Sequence, residues 1–219
     1  MTKSEPLIPH DVGCYGRKNI EEYMNICAYR FDEYADIVKS FHGSLAPGIL
    51  VGGFMIDLAM NNLPEGDYFD VICETQACLP DAVQLLTPCT IGNGWLRIVD
   101  FGRFALIFYN KYSGIGVRIY LDIERLDDWT EIRSWFLKEK PKKEQDLDLL
   151  ITQIKEAGHR IYGIQRVKLK PEFIEGSKKT KKPVAICDLC HEAFKANPDN
   201  VCPACRGESP YRLLDQEIK

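Results

Sequence analysis

The sequence has no stretch that could cross a membrane as a helix. Its longest apolar run, Leu45 to Ile56, carries Ala46, Gly48, Gly52 and Gly53 and stops at Asp57, well short of the roughly 20 residues a span needs. It also lacks a basic, apolar, cleavable start, because Met1 to Cys14 is polar and includes Glu5, Pro6, Pro9 and Asp11. Neither sign of charge is in large excess: 28 Lys and Arg against 32 Asp and Glu leave −4, so no whole-molecule field draws the chain to nucleic acid. There is no internal repeat. The even cysteine set of a secreted disulfide framework is missing too, since the nine cysteines are odd in number and Cys14, Cys27, Cys73, Cys78 and Cys89 sit in polar, apolar or strand-like surroundings that suit reduced thiols. These absences point to a cytoplasmic protein. With 219 residues, 45% of them apolar, the chain can build one good core and a small appendage.

What is present is most specific at the C-terminal end. Cys187, Cys190, Cys202 and Cys205 form two Cys-x-x-Cys knuckles, the spacing of a four-thiolate structural zinc site. A redox dithiol needs only one such pair. The segment from Pro183 to Lys219 has few large apolar residues beyond Val184, Ile186, Phe194, Val201, Leu213 and Leu214, so burial alone cannot hold it, whereas zinc supplies roughly 10–16 kcal/mol of apparent binding energy that becomes folding energy. The order predicts a treble-clef-like finger: first knuckle, hairpin through Phe194 and Asn197 to Asn200, second knuckle, then a helix from Pro210 to about Gln216 with Ser209 as its N-cap. His191, beside Cys190, reads as a surface residue next to a full site.

Before the finger, Lys168 to Lys182 holds six lysines with one proline and one glycine and reads as a solvated linker. A foothold on a phosphate backbone is the functional alternative, although no aromatic residue is interleaved among its lysines from Gly176 onward for base stacking. The organisation expected is a core over 1–167, a linker over 168–182 and a finger over 183–219.

Within the core, Ile20, Met24, Cys27, Phe31, Tyr34 and Val38 keep helical spacing and predict a helix from Arg17 to Ser40. Pro47 to Asn61 predicts a buried helix whose glycines allow close approach. A strand over Tyr68–Glu74 and a helix over Leu79–Thr87 follow. Strands Trp95–Val99, Phe104–Tyr109 and Gly116–Ile123 read as an antiparallel meander turning at Asp100–Arg103 and Asn110–Gly114. Helices over Asp128–Glu139 and Glu144–Tyr162 close an α+β pattern with a mixed sheet.

Polar and sulfur-bearing residues gather where two helices begin: Phe41-His42-Gly43-Ser44-Leu45-Ala46-Pro47-Gly48, and Cys73-Glu74-Thr75-Gln76-Ala77-Cys78-Leu79-Pro80-Asp81 with Cys89 beyond. His42 and Cys78 are the candidate site residues, as a soft-plus-imidazole metal site or with Cys78 as a thiolate activated by the helix start. Cys73 and Cys27 read as buried small hydrophobes, Glu74 and Asp81 as charges at element ends, and His159 as a surface residue. Cys89, in a loop after Pro88, is open between structure and an approach to Cys78.

Phe-His-Gly followed by Pro-Gly, then Glu-Thr-x-x-Cys-x-x-Asp-Ala-Val-Gln-x-x-Thr and Cys-Thr-x-Gly-x-Gly, closely resembles the E-subunit family of molybdenum and tungsten formylmethanofuran dehydrogenase over most of residues 35–125. The two-knuckle finger matches longer members. The resemblance implies a thioredoxin-like core with a mixed sheet, a treble-clef zinc finger, a homodimer, and association with the anaerobic complex that reduces carbon dioxide onto methanofuran. The family's usual first motif is Phe-His-Gly-His-x-Cys-Pro-Gly, and here its second histidine is Ser44 and its cysteine Ala46. Only His42 and Cys78 remain where relatives offer ligands, which implies a core site depleted of metal. The reading is thus an accessory subunit or partner of a dehydrogenase of one-carbon metabolism. A stand-alone enzyme at His42 and Cys78 and a nucleic-acid-binding finger are the alternatives.

Overall fold

The computed structural model describes residues 25–64, 68–175 and 183–211. The chain divides into two compact units, one to Ser177 and the other from Lys178.

The first unit is built on a mixed five-stranded sheet in the order β4-β3-β5-β6-β7, where β3 is Phe69–Cys73, β4 Leu96–Ile98, β5 Ala105–Asn110, β6 Ile115–Leu121 and β7 Tyr162–Lys168. β3 runs parallel to β4 and antiparallel to β5, and the remaining pairs are antiparallel. One face of the sheet carries Val71, Cys73, Leu106, Phe108, Val117 and Ile119 into the main core. The buried helix α2, Pro47–Asn62, lies in that core, and α1 (Phe31–His42), α3 (Leu79–Leu86), α4 (Thr130–Phe136) and α5 (Leu147–Ala157) contribute to it. Ile49, Leu50, Phe54, Met55 and Ile56 of α2 are fully buried, and each such side chain stabilises the fold by about 1.5–3 kcal/mol.

α2 is the predicted apolar helix, and its glycines act as the sequence suggested. A Cβ on Gly53 would sit 2.5 Å from the ring of buried Tyr34, and one on Gly52 would sit 2.8 Å from Ala82 Cβ, so α1 and α3 pack against bare backbone. From Pro47 to Met60 the helix is apolar except at Asp57, and Asn61 and Asn62 end it.

Four expectations about the elements of the first unit need correction. The helix predicted over Arg17–Ser40 is interrupted: Asn25–Ile26 (β1) and Tyr29–Arg30 (β2) form a small hairpin, with Cys27 at φ 53°, and α1 starts only at Phe31, where Glu33 Oε2 accepts the Arg30 N–H at 2.8 Å. The part of that prediction over residues 17–24 lies outside the described residues. The meander is not one, because β3 is inserted between β4 and β5. The Asp100–Arg103 link crosses the end of β3, with the Phe101 and Arg103 N–H groups donating to Glu74 O at 2.9 and 3.2 Å.

The last core helix is also shorter than expected. Asp146 caps α5 by accepting from Leu149 N–H at 3.0 Å, Gly158 ends it at φ 52°, and a 3-10 turn leads into β7, which pairs along the whole length of β6. Ile161 is buried from that turn and not from the helix. Finally, over residues 168–175 the stretch expected as a linker belongs to the first unit's fold: β7 reaches Lys168, Leu169 is buried, and Pro171–Glu175 forms a short helix, α6; the rest of that expected linker, 176–182, lies outside the described residues. Leu169 packs with Ile72, Tyr109, Phe173 and Ile174 in a second, smaller cluster. No helix among the described residues is long and apolar enough to cross a membrane.

In the second unit, β8 (Val184–Ile186) and β9 (Ala193–Lys195) pair antiparallel. These strands bracket the first knuckle, so the hairpin is closed by Cys187–Cys190 and does not follow it as the sequence order suggested. The second knuckle leads into one wide turn, Ala204–Glu208. Most of the helix expected over Pro210–Gln216 lies outside the described residues; Ser209 Oγ accepts the Tyr211 N–H at 3.3 Å.

Candidate functional site

The four finger cysteines converge. Their sulfurs all lie within 4.8 Å of one another, and Cys190 Sγ is 3.8 Å from Cys202 Sγ. Zinc–sulfur bonds of about 2.3 Å in a regular tetrahedron place sulfurs about 3.8 Å apart, so the donor set fits a zinc ion in both chemistry and spacing. The local backbone explains why. Cys187 N–H donates to Glu192 O and His191 N–H to Cys187 O, both at 2.9 Å, and His191 takes φ 62° to complete the turn. Cys202 N–H donates to Cys187 Sγ at 3.3 Å and Cys205 N–H to Cys202 Sγ at 3.4 Å. Asp188 N–H reaches Asn200 O at 2.9 Å and ties one knuckle to the loop before the other.

These contacts also polarise the thiols. N–H groups of Cys190 and Cys202 aimed at Cys187 lower its pKa to about 6, while hydrogen bonds from Cys202 and Cys190 push Cys205 up to about 12. A divalent ion removes that conflict by holding all four as thiolates. Among the described residues this is the one group of three or more His, Cys, Asp or Glu side chains placed to hold a metal. His191 is exposed and outside it.

The core candidates are arranged differently. His42 is exposed at the end of α1, which Gly43 stops at φ 79°, and its Nδ1 lies 3.2 Å from Ser44 Oγ. Cys78 is half-buried at the head of α3. It sits at φ 57°, ψ −44°, and the Leu79 N–H donates to Ala77 O across it at 2.6 Å, which makes a strained γ-turn. That turn brings Cys78 against the first turn of α2, where a Cβ on Gly48 would lie 2.6 Å from Cys78 Sγ and 3.7 Å from Trp135 Cζ2. Glycine is therefore required at 48 for the thiol to reach this place.

Burial, and then the charge of Asp81, raise the Cys78 thiol above its ordinary pKa. The helix start does not make it a thiolate, because α3 carries its own acid in the first turn and the site is partly desolvated. Cys73 and Cys89 are fully buried, and burial pushes each up to about 12. Cys89 Sγ donates to Phe69 O at 3.7 Å, at the start of β3. Both behave as small core residues. Cys27 donates its N–H to Asp57 Oδ1 at 2.9 Å, and Cys14 lies outside the described residues.

Two polar clusters were missed from the sequence. Asp57 is fully buried in α2. Besides Cys27 it accepts Asn61 Nδ2 at 3.0 Å and faces His159 Nε2 at 2.8 Å, so His159 is not the surface residue expected. The signal was available: an acid inside an apolar helix needs a buried partner. On the other side of the sheet, Glu74 is buried between Arg118, which donates Nε and Nη2 to its two oxygens at 2.8 Å, and Arg103 Nε, also at 2.8 Å. Burial raises the Glu74 carboxyl, but the Arg118 fork and the Arg103 charge outweigh it and leave it below the ordinary value. This is a structural ion cluster and not an acid–base pair.

The sequence over residues 41–170 matches the family described as FmdE, Molybdenum formylmethanofuran dehydrogenase operon, and residues 178–212 match the FmdE treble clef zinc finger. A tungsten formylmethanofuran dehydrogenase E-subunit (FmdE)-like protein from Syntrophus aciditrophicus has a crystal structure similar to this one, with TM-score 0.77 and 51% sequence identity, covering 86% of this chain and 98% of that one. A probable S-adenosyl-L-methionine-binding protein from Archaeoglobus fulgidus is 29% identical over 204 residues, which are 82% of this chain and 54% of that protein. The chain spans about half the length of that curated relative.

Proposed function

Because the chain belongs to the FmdE family and carries that family's treble-clef zinc finger, we propose that it serves as an accessory subunit or partner of a molybdenum or tungsten dehydrogenase of anaerobic one-carbon metabolism. The observation that carries this reading is the joint match of core and finger to one family. The core supports a role other than metal catalysis. Ser44 and Ala46 stand where the resembled motif has a histidine and a cysteine, Ser44 meets His42 directly, and the remaining thiol, Cys78, is held neutral by burial. In this reading zinc is structural: Cys187, Cys190, Cys202 and Cys205 hold it, and its chemistry is to fix the finger's turns.

Affinity purification of the tagged full-length chain from anaerobically grown cells tests the proposal. Molybdenum or tungsten dehydrogenase subunits should be recovered with it. Their absence, from a lysate in which the dehydrogenase is active, overturns the reading.

A second reading, a small-molecule-binding protein, is favoured by the name of the Archaeoglobus relative. Calorimetry with S-adenosylmethionine checks it directly. Saturable binding by the full chain supports this reading, and heat no different from dilution removes it.

A further inference from the structure

We propose that the three aromatic rings around Lys111 form a binding site for a small methylated onium cation, a sulfonium or quaternary ammonium, with the Lys111 ammonium as a built-in plug. The Lys111 Nζ lies 4.8 Å from the ring centroid of Tyr68, 5.3 Å from that of Tyr112 and 5.9 Å from that of Trp95. All three distances fall within the range in which a ring quadrupole attracts a cation. Tyr68 and Tyr112 meet edge to face at 6.1 Å, so they form two adjoining walls of one box.

The rings are exposed, Tyr112 most of all at 72%, yet their backbones are fixed. The Trp95 N–H donates to Asn93 Oδ1, and the Tyr112 and Ser113 N–H groups donate to Asn110 Oδ1, all at 2.9 Å. Lys111 N–H reaches Tyr68 O at 3.3 Å. Three large aromatic side chains gathered on a set backbone make an apolar patch open to water, and the Lys111 side chain of the same chain reaches over it without covering it. This box stands at the start of β3, whereas Cys78 follows its other end, so the inference is independent of the proposed partnership.

The plug also indicates the ligand class. A primary ammonium is a compact, strongly hydrated charge, and it gives up much hydration to sit on rings. A methylated onium spreads its charge over methyl groups, is weakly hydrated, and gains more from the same three faces. Lys111 sits on a flexible stem and can withdraw to solvent when such a cation arrives.

The test is calorimetry on the full-length protein with tetramethylammonium chloride and trimethylsulfonium chloride, against sodium chloride at equal ionic strength. Lys111→Ala should bind the onium ions at least about tenfold more tightly than the natural chain, and Trp95→Leu or Tyr112→Ala added to it should abolish binding while the melting temperature is kept. Chemical-shift changes confined to the Trp95 indole and the two tyrosine rings should accompany saturation. A stronger response to the sulfonium identifies a sulfonium metabolite as the source, and equal responses identify onium ions in general. No saturable binding to Lys111→Ala beyond the sodium control, or binding that survives both ring substitutions, overturns the inference.

Discussion

At the scale of single residues, Glu74 and Cys78 show how one short segment after β3 is used twice. Glu74 is nearly inaccessible and pairs with Arg118, itself only 14% exposed, while Arg103 is more than half exposed and adds little. Removing the carboxyl strands the Arg118 charge, so Glu74→Ala should cost about 3 kcal/mol in urea unfolding at neutral pH. Since the folded carboxyl titrates below its ordinary value, its contribution is complete above the unfolded pKa of about 4.3 and is lost as pH falls through the lower folded value. Stability measured from pH 6 down to pH 2 should therefore drop more steeply in the natural chain than in Glu74→Ala.

The buried thiols act in the opposite direction. Cys73 and Cys89 titrate near 12 when folded and near 8.5 unfolded, so stability should decline between those values as pH rises. At position 48 the prediction concerns packing. Gly48→Ala should destabilise by about 1–3 kcal/mol because the new methyl group overlaps Cys78. Cys78→Gly, which removes the thiol and relaxes the γ-turn, should recover most of that loss in a double-mutant cycle.

At the scale of elements, α6 depends on tertiary contacts. It has five residues, too few to be stable alone, and it stays on the sheet through Phe173 and Ile174 in the small apolar cluster and through Arg97, whose Nη2 donates to both Tyr109 OH and Phe173 O. Gly114 is needed there, since its φ of 69° is strained for any other side chain and a Cβ would also run into Ile174 Cδ1. Arg97→Met should leave α2 and the sheet protected in hydrogen exchange but speed exchange over residues 169–175 by about tenfold, the loss of one charged hydrogen bond. Unchanged exchange there would show that apolar contact alone holds α6.

At the scale of the whole molecule, the two units draw on different sources of stability. The first has a continuous apolar core around α2. The second exposes Val184, Ile186, Leu189 and Tyr211 and depends on the four sulfurs. Metal analysis of the purified chain should find one zinc per molecule, lost in Cys187→Ser/Cys202→Ser. A strong chelator should unfold the finger while the first unit melts at its original temperature, seen as one of two calorimetric transitions disappearing. Zinc remaining in the double variant would place a metal in the core instead.

Features whose physics is local are legible along the chain. Two knuckles at zinc spacing define a metal site wherever they fold, an apolar run opened by Pro47 defines a buried helix, and Asn110–Gly114 defines a tight turn between β5 and β6. Family resemblance was equally legible, because motifs are read along the chain. Matters that depend on distant partners were resolved by folding. β3 entered between β4 and β5, because pairing is chosen by neighbours across the sheet and not by nearness in sequence. Residues 162–168 became a strand because β6 offered an open edge. His159 was drawn inward by Asp57, about a hundred positions earlier, and the Cys78 thiol was raised by burial that no local pattern reveals. Local chemistry is written in spacing, whereas burial and register exist only once the chain has come together.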